Sequence, residues 1–565
     1  MFEKKISKKI SEALRAACKK YFKECLPKDT DFPKNIELSF QVTRDDKFGD
    51  LTSNAPMQLA RAARSAPTEI GRKIISYFRD QVDRTELSGL ISEINLTGGF
   101  INLRFAHRYY NQLLLFISRK RHNFGRSQEG SGQHINLEFV SANPTGPLTI
   151  AHGRQAAIGD ALSRILRFNG YSVTNEYYLN DFGRQINLLG ESVKVRYLNL
   201  FGQNIAMLED GYQGEYIIDI ARQIKAKYGK KFLGEKQRSA EFFRKYAVKY
   251  MMKLITEDLS DFGVKFDAWT SQKSIEKMNG VEKVLKILKN KGYIYEDDGA
   301  VWFASTRFGD DKDRVVVKSD GSYTYVAPDM AYHRDKYERG YSRLIDLLGP
   351  DHHGYIKRMK AAVEALGHDA ASLDILIVQL VTLARGGKKI SMSTRKGEFI
   401  SLREIIDEIG KDVTRFFFLS RRLDSHLDLD LDLAKKESAE NPVFYIQYAH
   451  ARICSIKKYS RLRRVILFFQ KLNLNLLASK EEKKLMRKLN EFHFVLKDSA
   501  EALEPNRLIV YLNELARCFH SFYTECRVIS DSGALSKARL HLVECVRIVL
   551  SNGLALLNVT LPKKM

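Results

Sequence analysis

The chain has 565 residues, of which 44% are hydrophobic and 28% charged, as in a globular protein with more than one core. Lysine and arginine number 92 against 68 acidic residues, and the formal net charge of +24 favours nucleic acid as a partner. No apolar run is long enough to cross a bilayer, and six scattered cysteines suggest neither a disulfide framework nor a zinc site. We therefore expect a cytoplasmic protein with no membrane role.

Residues 1–115 are predicted to form a separate α+β module. Two helical patterns alternate with two strand-like patterns in this part of the chain. A basic stretch rich in glycine and serine, residues 119–133, then indicates a linker. The helices are predicted over residues 5–27 and 56–80, and the strands over residues 35–42 and 98–105.

A strand, a tight loop and a helix open the next unit, which is predicted over residues 130–405. Apolar and polar residues alternate over 135–139, residues 143–147 break that pattern, and residues 172–179 are predicted as a second strand. In such a βαβ unit the loop lies at the carboxyl edge of a parallel sheet, where the helix directs unpaired N–H groups at an anion. His152, at the start of the helix, is placed either to donate to a phosphate oxygen or simply to cap the helix.

Residues 190–300 are mostly helical in pattern and strongly basic, which predicts an insertion between the two halves of a nucleotide-binding domain. Strand patterns return at residues 300–303 and 315–318. The second half of the domain is therefore predicted to begin there.

Helical periodicity dominates residues 406–565, and Ser401 with Glu404 predicts a capping box for the helix that begins there. Leucine and aspartate alternate over residues 427–433. Three carboxylates at period two can bind a metal, but no histidine or glycine turn accompanies them. A solvated strand edge is the preferred interpretation.

Seven stretches, spread along essentially the whole chain, resemble the motifs of arginyl-tRNA synthetases, a family of class I aminoacyl-tRNA synthetases. They occur in the same order as in that family. Residues 142–152 resemble the HIGH region of that class, and residues 391–397 resemble its KMSKS region. The other stretches are residues 48–50, 178–185, 329–333, 349–355 and 440–453.

The resemblance implies the fold class α/β. Residues 130–405 would be a Rossmann-type parallel-sheet catalytic domain that carries the helical insertion. Residues 1–115 would be an N-terminal α+β module that binds the elbow of tRNA, and residues 406–565 a C-terminal all-α bundle that binds the anticodon.

The activity implied by the resemblance is a two-step ligation. L-arginine and ATP give arginyl-adenylate and pyrophosphate, and the 3'-terminal adenosine of tRNA(Arg) then accepts the arginyl group. In this family the first step is expected to need bound tRNA. Mg²⁺ is expected to arrive with ATP and not on a protein-held site, and the chain is expected to act as a monomer. Catalysis of this kind depends on positioning and on electrostatic stabilisation.

The resemblance also implies site residues by position. His152 matches the second histidine of HIGH and would contact the ATP phosphates, as the first of three catalytic residues with Arg395 and Lys396. Asp329 is the first choice for the arginine guanidinium, because a carboxylate accepts its forked donors in a bidentate manner. The implied ATP-binding residues are Asn143, Pro144, Thr145, Gly146, Thr149, His152, Gly153, Ser391, Met392 and Ser393; the arginine-binding residues are Glu138, Asn143, Tyr325, Asp329 and His353; and the tRNA-binding residues are Asn54, Lys457, Lys458 and Arg461.

The motifs depart from the family pattern at four positions. Thr149 and Ala151 stand where HIGH has its first histidine and its glycine, and Ser391 and Thr394 stand where KMSKS has its lysines. No lysine between Gln133 and His152 offers a substitute. The hypothesis is that Arg395, Lys396 or Lys389 carries the charge that faces pyrophosphate.

Two alternatives stay open. The altered motifs are compatible with a non-catalytic tRNA-binding paralogue, although such a protein has no reason to keep His152, Asp329 and residues 349–355 together. A class I synthetase for another amino acid is the second alternative, and Asp329 with Tyr325 argues for a guanidinium over an apolar side chain.

Overall fold

The computed structural model describes the whole chain except residues 1, 29, 34, 35, 37, 44, 235, 236, 391–399 and 463–469. A five-stranded parallel sheet flanked by helices lies at the centre, with an antiparallel sheet before it and a helical region after it. The predicted α/β fold class is confirmed. Among the described helices none is both long enough and apolar enough to span a membrane.

The amino-terminal unit is an antiparallel sheet packed against helices. Its elements are α1 (Phe2–Cys25), β1 (Gln41–Val42), β2 (Leu51–Ser53), α2 (Ala55–Ala63), α3 (Pro67–Asp83), β3 (Ile91–Thr97), β4 (Phe100–Phe105) and α4 (His107–Lys120). The sheet order is β1-β2-β4-β3. The helix predicted over residues 56–80 is two helices, because Arg64 adopts a left-handed conformation and Pro67 begins a new helix. A strand is predicted over residues 35–42. Among the described residues of that range, those of β1 form a strand.

The middle of the chain forms a doubly wound parallel sheet. Its elements, with those inserted between them, are β5 (His134–Glu138), α5 (Ile150–Phe168), β6 (Ser172–Leu179), α6 (Arg184–Asn199), α7 (Glu215–Tyr228), α8 (Gln237–Asp261), β7 (Ala268–Ser271), α9 (Gln272–Lys277), α10 (Gly280–Asn290), β8 (Ile294–Asp297), β9 (Ala300–Phe303), β10 (Arg314–Val317), α11 (Val326–Glu338), β11 (Arg343–Leu348), α12 (Tyr355–Leu366) and β12 (Leu373–Ile377). The sheet order is β12-β11-β5-β6-β7, and all neighbours are parallel. The winding of the sheet reverses between β5 and β11, and this position is its topological switch point. The carboxyl ends of these two strands therefore flank the crevice in which such sheets bind ligands.

Three inserted helices, α6, α7 and α8, pack around an apolar core of their own. The insertion predicted over residues 190–300 also contains β7, which pairs with β6 in the main sheet. β7 has only four residues and no fully buried position, so no apolar run in the sequence marks it. The strands predicted at residues 300–303 and 315–318 correspond to β9 and β10, which join β8 in a separate antiparallel sheet.

The remaining elements are β13 (Val381–Arg385), β14 (Lys388–Lys389), α13 (Leu402–Ile409), α14 (Lys411–Leu419), β15 (Leu427–Asp430), α15 (Leu431–Lys435), α16 (Pro442–Leu462), α17 (Lys480–Glu501), α18 (Asn506–Glu525) and α19 (Gly533–Leu556). The predicted capping box is present at the start of α13, where Ser401 and Glu404 exchange hydrogen bonds. β15 pairs with β13 and exposes Asp428 and Asp430, as expected of a strand edge. The alternation ends there because the Asp430 side chain caps α15.

Helix α5 is buried on nearly every side, because small residues let its neighbours approach it closely. A Cβ atom at Gly159 would lie 2.3 Å from the Phe139 ring, so β5 and α5 approach more closely than a larger residue permits. A Cβ at Gly153 would lie 2.6 Å from Leu402 and 3.0 Å from Phe418. This packing fixes the amino end of α5 at the carboxyl edge of the sheet.

Candidate active site at the switch point

The loop that leaves β5 begins with two residues in the left-handed region. Val140 has φ 68° and Ser141 has φ 38°, and for a β-branched residue such as valine this conformation is strained. Strand β6 stabilises the turn. The Tyr178 N–H donates to the Ser141 hydroxyl at 3.0 Å, and the Tyr177 hydroxyl donates to the Ala142 carbonyl at 2.8 Å. The strained turn sends the loop across the carboxyl ends of the strands.

The rest of this loop contacts the inserted helices. The Tyr216 hydroxyl of α7 donates to the Thr145 carbonyl at 2.8 Å, and a Cβ at Gly146 would lie 3.3 Å from the same hydroxyl oxygen. The Asn143 amide is exposed and donates to Gln185 at 2.8 Å. The predicted ATP-binding loop is therefore supported from behind, with Asn143 on its open side.

His152 is the third residue of α5, and its side chain caps that helix. The Thr149 N–H donates to His152 Nδ1 at 3.1 Å, and the Thr149 hydroxyl lies 3.2 Å from the same nitrogen. Burial lowers the pKa of His152 to about 4, so the ring is neutral at pH 7. With Nδ1 acting as acceptor, the proton is on Nε2. Capping thus fixes the tautomer whose other nitrogen can donate to a phosphate oxygen, and the two interpretations from the sequence are compatible.

The start of α5 is tied to the residues that follow the KMSKS-like stretch. Thr149 forms an isolated bridge with Ser401, and the Leu402 N–H donates to the Leu148 carbonyl at 2.7 Å. Five predicted residues lie outside the described part of the chain, namely Ser391, Met392, Ser393, Arg395 and Lys396.

Arg154 ties the same helix to the segments that follow β12 and precede β15. Its guanidinium is buried and donates to the carbonyls of Gln379, Arg422 and Ser425 at 2.8 to 2.9 Å. Burial lowers its pKa to about 10, which still leaves it charged at pH 7. Backbone carbonyls are thus the principal acceptors that compensate this buried cation.

Asp329 lies in the first turn of α11, close to the switch point. The pKa of Asp329 is raised to about 6, chiefly by burial and also by the neighbouring Glu138, while His333, a hydrogen bond from the Tyr355 hydroxyl and Arg358 oppose the rise. The helix amino end also favours the ionised form. At pH 7 Asp329 is therefore mostly an anion that lacks full compensation, as a guanidinium site requires.

The structure does not bring every predicted arginine-binding residue to Asp329. Tyr325 is 87% exposed at the start of α11, and His353 is exposed at the end of a short 3₁₀ turn. Glu138 is buried and forms an ion pair with Lys336, whose Nζ lies 2.6 Å away. The charge of Glu138 is thus already shared with a cation, whereas that of Asp329 is available.

Two tyrosines beside Asp329 were not singled out from the sequence. Tyr355 begins α12 and donates to Asp329. Tyr178, at the end of β6, stacks on Tyr332 with ring centroids 4.2 Å apart, and the charge of Asp329 helps burial to raise its pKa. Both lie within stretches that resemble the family, but nothing in their spacing indicates that they face a carboxylate.

The predicted tRNA-binding residues lie in two places. Asn54 is exposed at the amino end of α2. Lys457 and Lys458 lie on α16, where Lys458 is exposed and Lys457 forms an ion pair with Glu544 at 2.6 Å. The side chain of Arg461 is outside the described part of the structure.

A groove of about 760 Å³ on the helical bundle is lined in part by other residues of α16. The Arg452 guanidinium carbon lies 4.3 Å from the Tyr523 ring centroid and 5.0 Å from that of Tyr448. Aromatic faces beside a cation are what an unstacked nucleotide base binds. The sequence did not indicate this groove, because α16 and the end of α18 contribute its walls from distant parts of the chain. The basic and aromatic lining residues are Tyr448, Arg452, Tyr459, Tyr523 and Arg527.

The described residues contain no group of three or more histidine, cysteine or acidic side chains arranged to hold a metal ion. Two of the three aspartates of residues 427–433 serve as backbone acceptors, and the third, Asp428, lies 3.8 Å from the Lys389 Nζ. Asp430 accepts from two N–H groups of α15, and Asp432 accepts from the Gly386 N–H at 2.6 Å.

Three family models match consecutive parts of the chain. A family model described as the catalytic domain of class I tRNA synthetases (R) matches residues 114–418, more than half of the chain. The arginyl tRNA synthetase N terminal domain matches residues 4–105, and the DALR anticodon binding domain matches residues 446–565. The chain belongs to the arginyl-tRNA synthetase family.

Individual arginyl-tRNA synthetases resemble the chain over nearly its whole length. The arginine–tRNA ligase of Syntrophotalea carbinolica is 45% identical, and the match covers 94% of this chain and 95% of that protein. The arginine–tRNA ligase of Bacillus licheniformis is 42% identical, and the match covers 98% of this chain and 100% of that protein. The structure of the Thermus thermophilus arginyl-tRNA synthetase matches with a TM-score of 0.76 over 100% of both chains, and at 20% identity this shows the shared fold. The resemblance inferred from the sequence is confirmed.

Proposed function

We propose that this chain is an arginine–tRNA ligase that forms arginyl-adenylate from L-arginine and ATP and transfers the arginyl group to the 3'-terminal adenosine of tRNA(Arg). The observation that carries the proposal is the Asp329 carboxylate. It stands beside the switch point of a doubly wound sheet with a pKa raised by burial, in a chain that belongs to the arginyl-tRNA synthetase family. A guanidinium supplies the missing charge and fits a carboxylate with two parallel hydrogen bonds.

ATP is assigned to the amino end of α5. There the neutral His152 offers an Nε2–H donor, and the unpaired N–H groups of the first helical turn add a positive potential. Asn143, Thr145 and Gly146 lie on the loop that the nucleotide would follow. Gly153 is assigned a different role from the one implied by the family, because Leu402 and Phe418 occupy the space beside it. Mg²⁺ is expected on the ATP phosphates.

The cation that faces pyrophosphate is assigned to the group of Lys389, Arg395 and Lys396. Lys389 is exposed on β14, with its Nζ 3.8 Å from the carboxylate of Asp428. Replacing all three with alanine should lower the rate of pyrophosphate exchange at least 100-fold, the scale of a lost electrostatic contact to developing charge. Lys388, the exposed neighbour on the same strand, is the control, and Lys388→Ala should leave the rate unchanged. Exchange at the wild-type rate in the triple variant would refute the assignment.

The anticodon is assigned to the groove that contains Arg452 and Tyr523, and the tRNA elbow to the amino-terminal unit near Asn54. Arg452→Met should raise the KM for tRNA about tenfold, because a base loses both a stacking partner and a cation. The KM values for arginine and ATP should not change. A Michaelis constant for tRNA equal to that of the wild type would exclude the groove.

The ligase activity is tested by charging. The protein is incubated with ATP, Mg²⁺, a tRNA(Arg) transcript and each amino acid in turn, and the acid-precipitable aminoacyl-tRNA is counted. Charging with arginine only is the expected result. Charging with another amino acid, or none with arginine, would overturn the proposal.

A further inference from the structure

Three buried carboxylates lie side by side across the carboxyl ends of β11, β5 and β6. Asp346 is in register with Glu138, and Glu138 is in register with Glu176. Their exposed fractions are 2%, 6% and 0%. Since adjacent strands are about 4.8 Å apart, this carboxylate row is strongly unfavourable unless cations neutralise it.

The neutralising groups all come from α11 and the residue that ends it. His333 Nε2 lies 2.9 Å from Asp346, and Arg339 makes two hydrogen bonds of 2.8 Å to Glu176. Between them, Lys336 Nζ lies 2.6 Å from Glu138 and 2.8 Å from Asp346. The spacing of three residues places the three basic side chains along one side of the helix. These polar contacts add to the apolar packing of α11 against the sheet.

His333 links α11 to the far end of the carboxylate row. Its Nδ1 lies 2.8 Å from the Asp329 carbonyl oxygen, and its Nε2 faces Asp346. Burial would raise the pKa of Asp346, but Lys336 and His333 hold it well below the ordinary range, so Asp346 is an acceptor. His333 thus contacts the Asp346 end of the row, Arg339 contacts the Glu176 end, and Lys336 lies between them.

Lys336 has a special place in this arrangement. It is fully buried and bridges two members of the row, and so joins β5, β11 and α11 at the switch point. Burial alone would lower its pKa, but Asp346 and Glu138 hold the pKa above its ordinary value, so the bridge is permanently charged. Asp329 lies seven residues earlier, two turns along the same face of the helix.

We propose that Lys336 is a positioning residue for arginine: its bridge between Glu138 and Asp346 sets the rotation of α11 that directs Asp329 at the guanidinium. It also engages the charge of Glu138, which leaves Asp329 as the carboxylate for the substrate. This inference rests on the proposed ligase function and adds a specificity determinant that does not touch arginine.

The test is Lys336→Met, which keeps most of the side-chain volume and removes the bridge. In pyrophosphate exchange the KM for arginine should rise at least tenfold, while the KM for ATP stays within twofold of the wild type. The matched control is Arg339→Met, which removes the cation from the Glu176 end of the row and leaves the Lys336 bridge intact. Its KM for arginine should stay within threefold of the wild type.

An unchanged KM for arginine in folded Lys336→Met would overturn the inference, as would a parallel rise in the KM for ATP or an equal effect of Arg339→Met. If the single variant does not fold, Lys336→Met with Asp346→Asn restores the charge balance of the row and should show the same rise. A wild-type protein without arginine-dependent exchange would overturn the ligase function itself. Wild-type exchange with unaltered kinetics in the Lys336 variants would overturn only the role of Lys336.

Discussion

At the scale of the residue, the ionised form of Asp329 is destabilised in the free protein, and bound arginine would stabilise it. Burial raises its pKa to about 6, so the ionised form at neutral pH is less stable than that of a solvated aspartate. A bound guanidinium supplies the hydrogen bonds and charge that the free protein lacks. Affinity for arginine and instability of the empty site therefore have the same origin.

The amide variant separates these two effects. Asp329→Asn should raise the KM for arginine about 100-fold, because a charge-assisted pair worth about 3 kcal/mol is lost. It should also stabilise the empty protein at pH 8 by about 1 to 3 kcal/mol. An acid whose pKa is raised on folding contributes stability below its unfolded pKa and loses it as pH rises through the folded value, and asparagine has no such loss. Kinetics and chemical denaturation measure the two changes.

Asp335→Asn is the matched control, because that carboxylate also lies on α11 and its pKa is also raised by burial, but it pairs with Arg339. Its KM for arginine should remain that of the wild type. Equal increases in the two variants would exclude a specific contact between Asp329 and arginine.

Arginine binding should depend on pH in the window that the pKa of Asp329 defines. Below about pH 6 the carboxyl is protonated while the guanidinium remains charged, so affinity should fall up to tenfold per pH unit. At pH 6 binding should release about half a proton, which calorimetry in buffers of different ionisation enthalpy measures. Constant affinity between pH 5 and 7 would contradict this role of Asp329.

The sequence predicted some of these residues and not their partners. His152 was recognised because a helix start and a motif position coincide at one short stretch. Lys336, by contrast, contacts Glu138 across 198 residues of sequence, and no local pattern predicts that the two are paired. Only the register of β5 and β11 reveals why a lysine is buried there.

At the scale of the element, α5 is held by close packing that depends on Gly153. Gly153→Ala should destabilise the protein by about 1 to 3 kcal/mol, because the new methyl group meets Leu402 and Phe418. Adding Leu402→Ala removes the nearer obstacle, so the double variant should be more stable than the sum of the single changes predicts. Denaturant unfolding of the four proteins in the cycle measures the coupling, and strict additivity would show that the contact is not responsible.

Elements were predictable where a long periodic pattern had only one interpretation. The strand predicted over residues 172–179 coincides with β6, and the capping box at Ser401 is present. β7 was not recognised because a four-residue edge strand carries too few apolar residues to form a pattern. Helical periodicity alone also gave no sign that Arg64 interrupts the helix predicted over residues 56–80.

At the scale of the whole molecule, the amino-terminal unit and the helical bundle are joined by a buried ion pair. Arg487 of α17 donates to Asp50 and to the Gly49 carbonyl, both at 2.6 Å. The Tyr110 hydroxyl donates to the same oxygen of Asp50, also at 2.6 Å, and the other oxygen accepts from the Phe105 N–H at 2.7 Å. Residues 48–50, one of the stretches that resemble the family, thus contribute to the contact between the unit assigned to the tRNA elbow and the bundle assigned to the anticodon, beside other hydrogen bonds such as that of Tyr109 to Asn490.

Breaking this joint should affect tRNA and not the small substrates. Arg487→Met leaves Asp50 buried without its cation, so the free energy of unfolding should fall by about 3 to 5 kcal/mol. The KM for tRNA should rise, because the two proposed binding surfaces lose their fixed separation, while the KM values for arginine and ATP should not. Asp46→Asn is the control, since the ion pair of Asp46 with Arg487 is largely exposed and contributes little. Equal changes in all three Michaelis constants would contradict a role confined to the joint.

The measurement that tests the central claim most directly is arginine-dependent ATP–pyrophosphate exchange, with and without tRNA(Arg). We predict exchange that requires both arginine and tRNA, and that Asp329→Asn lowers about tenfold at an arginine concentration of about ten times the wild-type KM. Tight binding of tRNA without any exchange would contradict the claim and would identify a tRNA-binding protein that lacks ligase activity.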